Sequence, residues 1–423
     1  MKRNANLTWL SVFLYALFVL LPWGYAALSG APDPQTAGFA RLWSAARQVI
    51  CGRGWTPFLG VALTLGALLA LMVAAAPRVP RLGALRQDGT YLLVLALLTI
   101  LPFLIAWQTD SSACNRGRAF FWQSVYVEIF ILAALAISYN LMFGFTGVVS
   151  FGHAAFFGLG AYGVGLLMKH LGWNLGAALL VTLLVSALLS ALVSVIALRI
   201  RGLYFAIFTL AFAELFYILA QNRILVDITG AEDGFTFAVP DWVNAVKNRL
   251  LFYYLGLGLL VLAFWFVRRL VNSPAGRVMA AVRENEDRAL MLGYNTFAFK
   301  TLSIVSAGML ATLAGALRGL LNKGASPNVL GLNFTMDPLL MTLIGGTGTF
   351  SGPAVGAFLL RLTEQLLRDT VVQVGGWQVN LGERWALLLG LLFILSVMVF
   401  PQGIVGTVQA WRARRAARRT KNA

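Results

Sequence analysis

The sequence predicts an all-α, polytopic membrane protein of about 10–12 transmembrane helices, some of them short or broken. Three observations lead there. Of 423 residues, 59% are hydrophobic and only 12% charged, where a soluble domain carries roughly 25% charge and less apolar content. The apolar residues lie in runs of spanning or near-spanning length that do not alternate in polarity, which excludes an outer-membrane barrel. The 42 glycines suit helices that pack closely in lipid.

Taken in order, Lys2 and Arg3 precede an apolar run at 7–28. Although Ala26-Ala27-Leu28-Ser29-Gly30 loosely resembles a cleavage region, a run of about 22 residues exceeds a signal-peptide core and can span. It is read as a retained first helix. Runs at 58–76 and 91–107 follow, so residues 1–119 form an N-terminal extension of about three helices. The core, 120–408, holds runs at 122–143, 150–168, 174–198, 202–220, 250–268, 298–320, 333–346, 353–367 and 384–400. In lipid each backbone amide must be satisfied within its own segment, so these runs are helices. The runs at 150–168, 333–346 and 353–367 are short and glycine-rich, and either cross or re-enter. A basic tail, 409–423, closes the chain.

The net charge of +17 raises the question of nucleic acid. The basic residues are scattered in short clusters between apolar runs, with no continuous basic face, so nucleic-acid binding is excluded. They read instead as topological bias. With both termini in the cytoplasm, the strongest clusters all fall inside: Arg78, Arg81 and Arg86; Arg199 and Arg201; Arg268 to Lys300; and Arg412 to Lys421. That is the positive-inside pattern. In this orientation Cys51 and Cys114, the only cysteines, lie in outside loops, where a disulfide can form and persist. They are a candidate pair.

The inside stretch 270–299 is unlike the other loops. Ser273 suits an N-cap, Pro274 a first turn and Gly293 a C-terminal stop. Val278, Val282, Ala289 and Leu292 form an apolar stripe; Arg277, Arg283, Glu284, Glu286, Asp287 and Arg288 form a polar face. This predicts an amphipathic helix outside the membrane. Its mixed charge fits a docking surface for a soluble partner better than a headgroup-bound helix, which favours a net basic face. Arg277, Ala281, Val282, Arg283, Glu284, Glu286 and Gly293 are the docking candidates.

Little here suggests chemistry. No Cys/His cluster has metal-ligand spacing, so no metal site is expected. No Gly-Lys dipeptide occurs, so there is no phosphate-binding P-loop and any ATP hydrolysis belongs to a partner. No pairing of His, Cys and carboxylate has catalytic spacing, and an enzyme is not expected. Glycines 144–165 permit either close helix packing or a backbone-lined path. His153 either lines such a path or is a satisfied packing residue. Glu128 and Glu214 are ionisable groups within spans, which face protein or water rather than lipid. The glycines of Ile344–Pro353 break two short runs, either at a solute path or in a tight inside turn.

Three stretches together resemble the branched-chain amino-acid ABC transporter permeases of the LivM type. They are Ser138 to Tyr162, which includes Ser150-Phe151-Gly152-His153; Arg199 to Ile207 with Thr229-Gly230-Ala231-Glu232-Asp233-Gly234; and Gly276-Arg277 through Gly293-Tyr294-Asn295 to Ile344-Gly345-Gly346-Thr347-Gly348-Thr349-Phe350-Ser351-Gly352-Pro353. Pro401-Gln402-Gly403-Ile404 fits as well. The likeness covers about 120–408. It implies a permease subunit in a bacterial inner membrane, with a second related permease, two cytoplasmic ATPases that carry ATP and Mg, and a periplasmic solute-binding protein. No cofactor is expected in this chain. Gly147, Ser150, His153, Phe156, Glu214, Gly345 and Gly346 become candidates for the substrate path. The outside loop 221–249, with Glu232 and Asp233, becomes the candidate face for the binding protein. Relatives importing urea or short amides are close to the same motifs and remain an alternative. A different class, an ion-coupled secondary transporter, would suit the intramembrane carboxylates; the peripheral helix speaks against it.

Overall fold

The computed structural model describes residues 89–109, 117–200, 202–240, 243–246, 248–368, 371–374, 377–380 and 385–411. The runs at 7–28 and 58–76, the Cys51–Cys114 pair and the tail from Arg412 lie outside the described residues. Each apolar run from 91–107 onward folds as a helix. The helices are α1 (Gly89–Gln108), α2 (Arg118–Asn140), α3 (His153–His170), α4 (Leu175–Ala197), α5 (Leu203–Gln221), α6 (Arg249–Val271), α7 (Pro274–Glu284), α8 (Glu286–Met291), α9 (Thr296–Asn322), α10 (Asn333–Gly345), α11 (Gly352–Arg368) and α12 (Trp385–Val399).

Five of these segments are long and apolar enough to cross a membrane: Arg118–Phe145, α4, α5, α6 and α9. The expectation of short elements holds for α10. Its 13 residues rise about 20 Å, less than a hydrocarbon core of roughly 30 Å. Two small antiparallel ribbons, absent from the sequence reading, join the helices: β1 (Phe235–Thr236) with β2 (Gly324–Ala325), and β3 (Val371–Val374) with β4 (Trp377–Asn380).

The chain divides into two compact units, residues 1–127 with 242–261, and residues 128–241 with 262–423. The boundary falls inside α2 and α6. In the first unit, Pro102 interrupts α1. Proline has no N–H, so the carbonyl four residues earlier loses its helical donor. Tyr253 donates its hydroxyl to that carbonyl, Leu98 O, and Tyr254 donates to the next, Thr99 O, at 3.0 Å. Two adjacent tyrosines on α6 thus satisfy a backbone gap that lipid would leave costly.

The second unit is built around α3 and α9. Glycines set their closeness: a Cβ at Gly160 would stand 2.0 Å from Thr312 O, and one at Gly315 1.7 Å from Phe157 O. Helix α4 packs on the same pair through Thr182, Ser186, Ser190 and Ser194, all buried and one turn apart. Ser186 and Thr312 hydroxyls meet at 2.6 Å, and the Thr312 hydroxyl also donates to Phe156 O at 3.0 Å. The opposite face of α4 is apolar and exposed, with Leu188 at 74%, as lipid requires.

One expectation needs correction. The stretch from Ser273 to Gly293 is not one helix but two, α7 and α8. Asn285 breaks it at φ −160° and ψ 107°, and its side chain accepts from Arg288 N to start α8. An Asn followed by two acidic residues is a strong N-terminal signal, and it overrides the stripe. Val282 and Ala289 are buried as the stripe requires, but Leu292 is 69% exposed. Ser273 is the expected cap, accepting from Gly276 N, and Gly293 takes φ +83° at the expected stop.

Candidate functional site

Parts of the first and third stretches singled out in the sequence converge at one end of the second unit. Helix α2 does not end cleanly. At Leu141–Phe145 it widens into a π turn, which detaches carbonyls from the regular ladder. Leu141 O then accepts from the hydroxyls of Thr146 at 3.1 Å and Ser303 at 3.2 Å. Gly144 O accepts from the guanidinium of Arg283 on α7. Arg283 also lies against Gly147, where φ is +79° and a Cβ would stand 3.2 Å from its Cγ. A substituted Gly147 would be strained and would push the arginine away.

The turn between α10 and α11 closes on the same place. Gly346 and Gly348 have φ +123° and +71°, which only glycine adopts without strain. Asn140, the last residue of α2, clasps this turn from both sides. Its Oδ1 accepts from Gly348 N at 3.0 Å, and its Nδ2 donates to Thr349 O at 2.9 Å. The Thr349 hydroxyl donates to Gly346 O and accepts from Gly352 N, capping α11. Phe350 packs on Phe145 and Phe264, with ring centroids 5.4 and 6.5 Å away. The Pro401–Ile404 motif completes the contact, since a Cβ on Gly403 would stand 2.3 Å from Gly346 Cα. The peripheral helix α7 is therefore keyed into the ends of α2, α10 and α11.

Among the docking candidates, Arg277, Arg283, Glu284 and Gly293 are exposed, and Ala281 is half-buried. Glu286 binds Lys300 at 2.6 Å. Val282, at 4% exposure, points into the protein and seats α7 rather than facing outward. Leu290, Met291 and Leu292 form an exposed apolar step beside the polar face.

The path candidates do not gather in one place. Ser150 is buried, and its hydroxyl accepts from Gly152 N at 3.2 Å. His153, 1% exposed, shares a 2.8 Å hydrogen bond with Ser138 and packs edge-on to Tyr139 and Phe156. Phe156 is buried too, while Gly345 and Gly346 belong to the junction just described. Glu214 is exposed on α5. Glu232 and Asp233 are exposed on a short turn, Ala231–Asp233. The β1–β2 ribbon and the buried rings of Phe235 and Phe237 hold that turn.

Sequence reasoning missed a cluster of charges within the second unit. Glu128 of α2 pairs with Arg318 of α9 at 2.9 Å. Arg361 of α11 pairs with Asp337 of α10 at 2.8 Å and with Glu364 at 2.6 Å, and Arg368 pairs with Glu364 at 2.8 Å. Glu128 is legible in the sequence as an ionisable group within a span, but its partner is not. The signal was present in Arg318, Asp337, Arg361 and Glu364, four further ionisable residues inside apolar runs. Among the described residues no group of His, Cys, Asp and Glu could hold a metal.

Comparison with known proteins gives a consistent answer. A family model described as the branched-chain amino acid transport system permease component matches residues 122–397. The high-affinity branched-chain amino acid transport system permease protein LivM of Escherichia coli is 27% identical over 340 residues, 74% of each chain. Its counterpart in Salmonella typhimurium is 29% identical over 341 residues, again 74% of each. A probable LivM of Methanocaldococcus jannaschii is 24% identical over 311 residues, 64% of this chain and 89% of that one. No solved structure matches.

Proposed function

Because the chain belongs to the branched-chain amino acid transport system permease family, we propose that it is the membrane-spanning permease subunit of an ABC importer that carries leucine, isoleucine and valine inward. It works with a second permease of related fold, two ATPases that bind ATP and Mg on the cytoplasmic side, and a periplasmic binding protein. It sits in the bacterial inner membrane with both termini in the cytoplasm.

The observation that carries this reading is the junction of Arg283, Gly144, Asn140 and the Gly345–Gly352 turn. A helix that transmits nucleotide-driven movement must be rigidly joined to the spans it moves. Here α7 is tied by a charged hydrogen bond to the end of α2, and α2 is tied by two more to the α10–α11 turn. Charge-assisted bonds of this type are about twice as strong as neutral ones. The exposed polar face of α7 and the apolar step of α8 then form the surface offered to the ATPase. Glu232 and Asp233 are offered to the binding protein on the ribbon-held turn.

Reconstitution tests the proposal. The chain, purified with its genetic neighbours and placed in liposomes with loaded binding protein, should take up labelled leucine only when ATP is supplied on the ATPase side. Uptake by the chain alone under an ion gradient would establish a secondary transporter instead. Uptake of urea or acetamide in place of leucine would establish the amide reading, a type that the Ser150-Phe151-Gly152-His153 stretch resembles at least as much.

A further inference from the structure

The charge cluster is in an unusual place. Glu128 is the eleventh residue of the 28-residue span Arg118–Phe145, about 15 Å along it. Arg318 lies within the span α9. Charges at such depth are costly against hydrocarbon and face protein or water. Yet the side chains of Glu128, Asp337, Arg361 and Arg318 are 39, 29, 21 and 19% exposed. Protein does not enclose them, and lipid is too costly a neighbour.

Three further features bear on what they face. The two ion-pair groups act as one cluster: Glu128 feels Arg361 and Arg368 as well as Arg318, and Asp337 feels Glu128 and Glu364. Three carboxylates and three guanidinium groups balance, so the cluster holds neither an anion nor a cation strongly. Its hydrogen bonding is incomplete: among the described residues, the buried Nε atoms of both Arg318 and Arg361 have no acceptor. Guanidinium donors are rarely left so when buried.

We propose that this cluster lines a water-filled section of the transport path and receives the charged head of a zwitterionic α-amino acid. The solute carboxylate exchanges with Glu128 and Asp337 for the terminal guanidinium nitrogens of Arg318 and Arg361, the Nε atoms being shut off from solvent, and its ammonium exchanges onto the two carboxylates. A balanced lining binds both ends of a zwitterion weakly enough to release it, as conduction requires. The apolar side chain needs no fixed partner, which suits a set of branched aliphatic solutes. This assignment rests on the amino-acid reading above.

Two measurements on the assembled transporter in liposomes test it. The first compares Glu128→Gln and Arg361→Lys with the unaltered complex. Leucine uptake per ATP hydrolysed should fall about tenfold, the worth of one charge-assisted contact, while ATP hydrolysis stimulated by loaded binding protein persists. Unchanged uptake in both variants would overturn the site. If the unaltered complex itself fails to carry leucine, the functional reading fails rather than this one. The second avoids disturbing the charges. Leu340, half-buried one turn beyond Asp337, is changed to Cys in a chain whose Cys51 and Cys114 are serine. A charged, membrane-impermeant thiol reagent should label it in the assembled transporter. Labelling of the isolated chain but not of the complex would show that the second permease covers the cluster, and no labelling in either would show it dry. Both results overturn the proposal.

Discussion

At the level of single residues, Asn140 is the side chain on which the junction turns. It makes two hydrogen bonds to the α10–α11 turn, one as donor and one as acceptor, and it is 1% exposed. Asn140→Ala leaves a buried N–H and a buried carbonyl without partners, at a cost of about 1–3 kcal/mol each. The detergent-solubilised protein should melt several degrees lower, and Asn140→Asp, which keeps only the acceptor, should fall between. A melting temperature unchanged by either variant would show that the turn holds without the clasp. Gly348→Ala is a sharper change. It places a Cβ in the left-handed region and 2.6 Å from Arg283 Nη1, so transport should fall more than complex assembly does. The glycines of this turn were legible in the sequence because their spacing is conspicuous. Asn140 was not, because a lone polar residue at a helix end has many local uses, and only the fold reveals a partner 208 residues away.

Among the elements, α7 and α8 show how local and global signals compete. The start, the stop and the buried face were legible from Ser273, Gly293, Val282 and Ala289. The break is hidden by the apolar stripe, which runs on through Asn285 and masks the cap that its side chain provides. Two changes probe the pair. Ala281→Gly, within α7, should cost about 1 kcal/mol of local helix stability. Val282→Asp buries a carboxylate where a valine now packs, unseats α7, and should lower the amount of ATPase that co-purifies. Capture of solute by the isolated binding protein should be unaffected. Full ATPase recovery with both variants would place the docking surface elsewhere. The short runs at 333–346 and 353–367 were legible as interrupted, and their shared turn as tight. The pairing of Glu128 with Arg318 was hidden, since α2 and α9 are far apart in the sequence; that of Asp337 with Arg361 depends on how the consecutive helices α10 and α11 face each other across their turn.

For the whole molecule, orientation is the testable quantity. In the orientation proposed above, the positive-inside rule would keep the basic clusters between spans and at the tail, and with them both termini, in the cytoplasm. An alkaline phosphatase domain, active only in the periplasm, should stay silent when fused after Lys421; strong activity would invert every side assigned above. In that proposed orientation Cys51 and Cys114 would lie outside. Non-reducing mass spectrometry of alkylated protein tests this candidate pair: a linked peptide would establish the bond, and full alkylation of both thiols without reduction would rule it out. The class of the fold was legible at this scale because lipid leaves the backbone so few options. Every described run of apolar residues became a helix. The small ribbons were not legible, since two-residue strands carry no periodic signal.

The charges of α11 also bear on how the chain is made. Helix α4 can enter the bilayer alone: it is wholly apolar at its exposed face, and the hydroxyls of Thr182, Ser190 and Ser194 are bonded to its own carbonyls. Helix α11 cannot do the same: Glu364 pairs with Arg361 and Arg368 on the helix itself, but that leaves one positive charge in excess, whose further partner Asp337 lies on α10, and a charge near the bilayer centre costs about 2.5–3.5 kcal/mol. Glu128 and Arg318 emerge from the ribosome before it. Biogenesis therefore has a direction: Glu128 must wait near the insertion machinery until α9 brings Arg318 to neutralise it, and α10 and α11 then enter together, Asp337 meeting Arg361. A chain truncated before α9, with Glu128 left unpaired, should be degraded by the proteases of the membrane faster than one truncated after it, although its earlier spans are already in place.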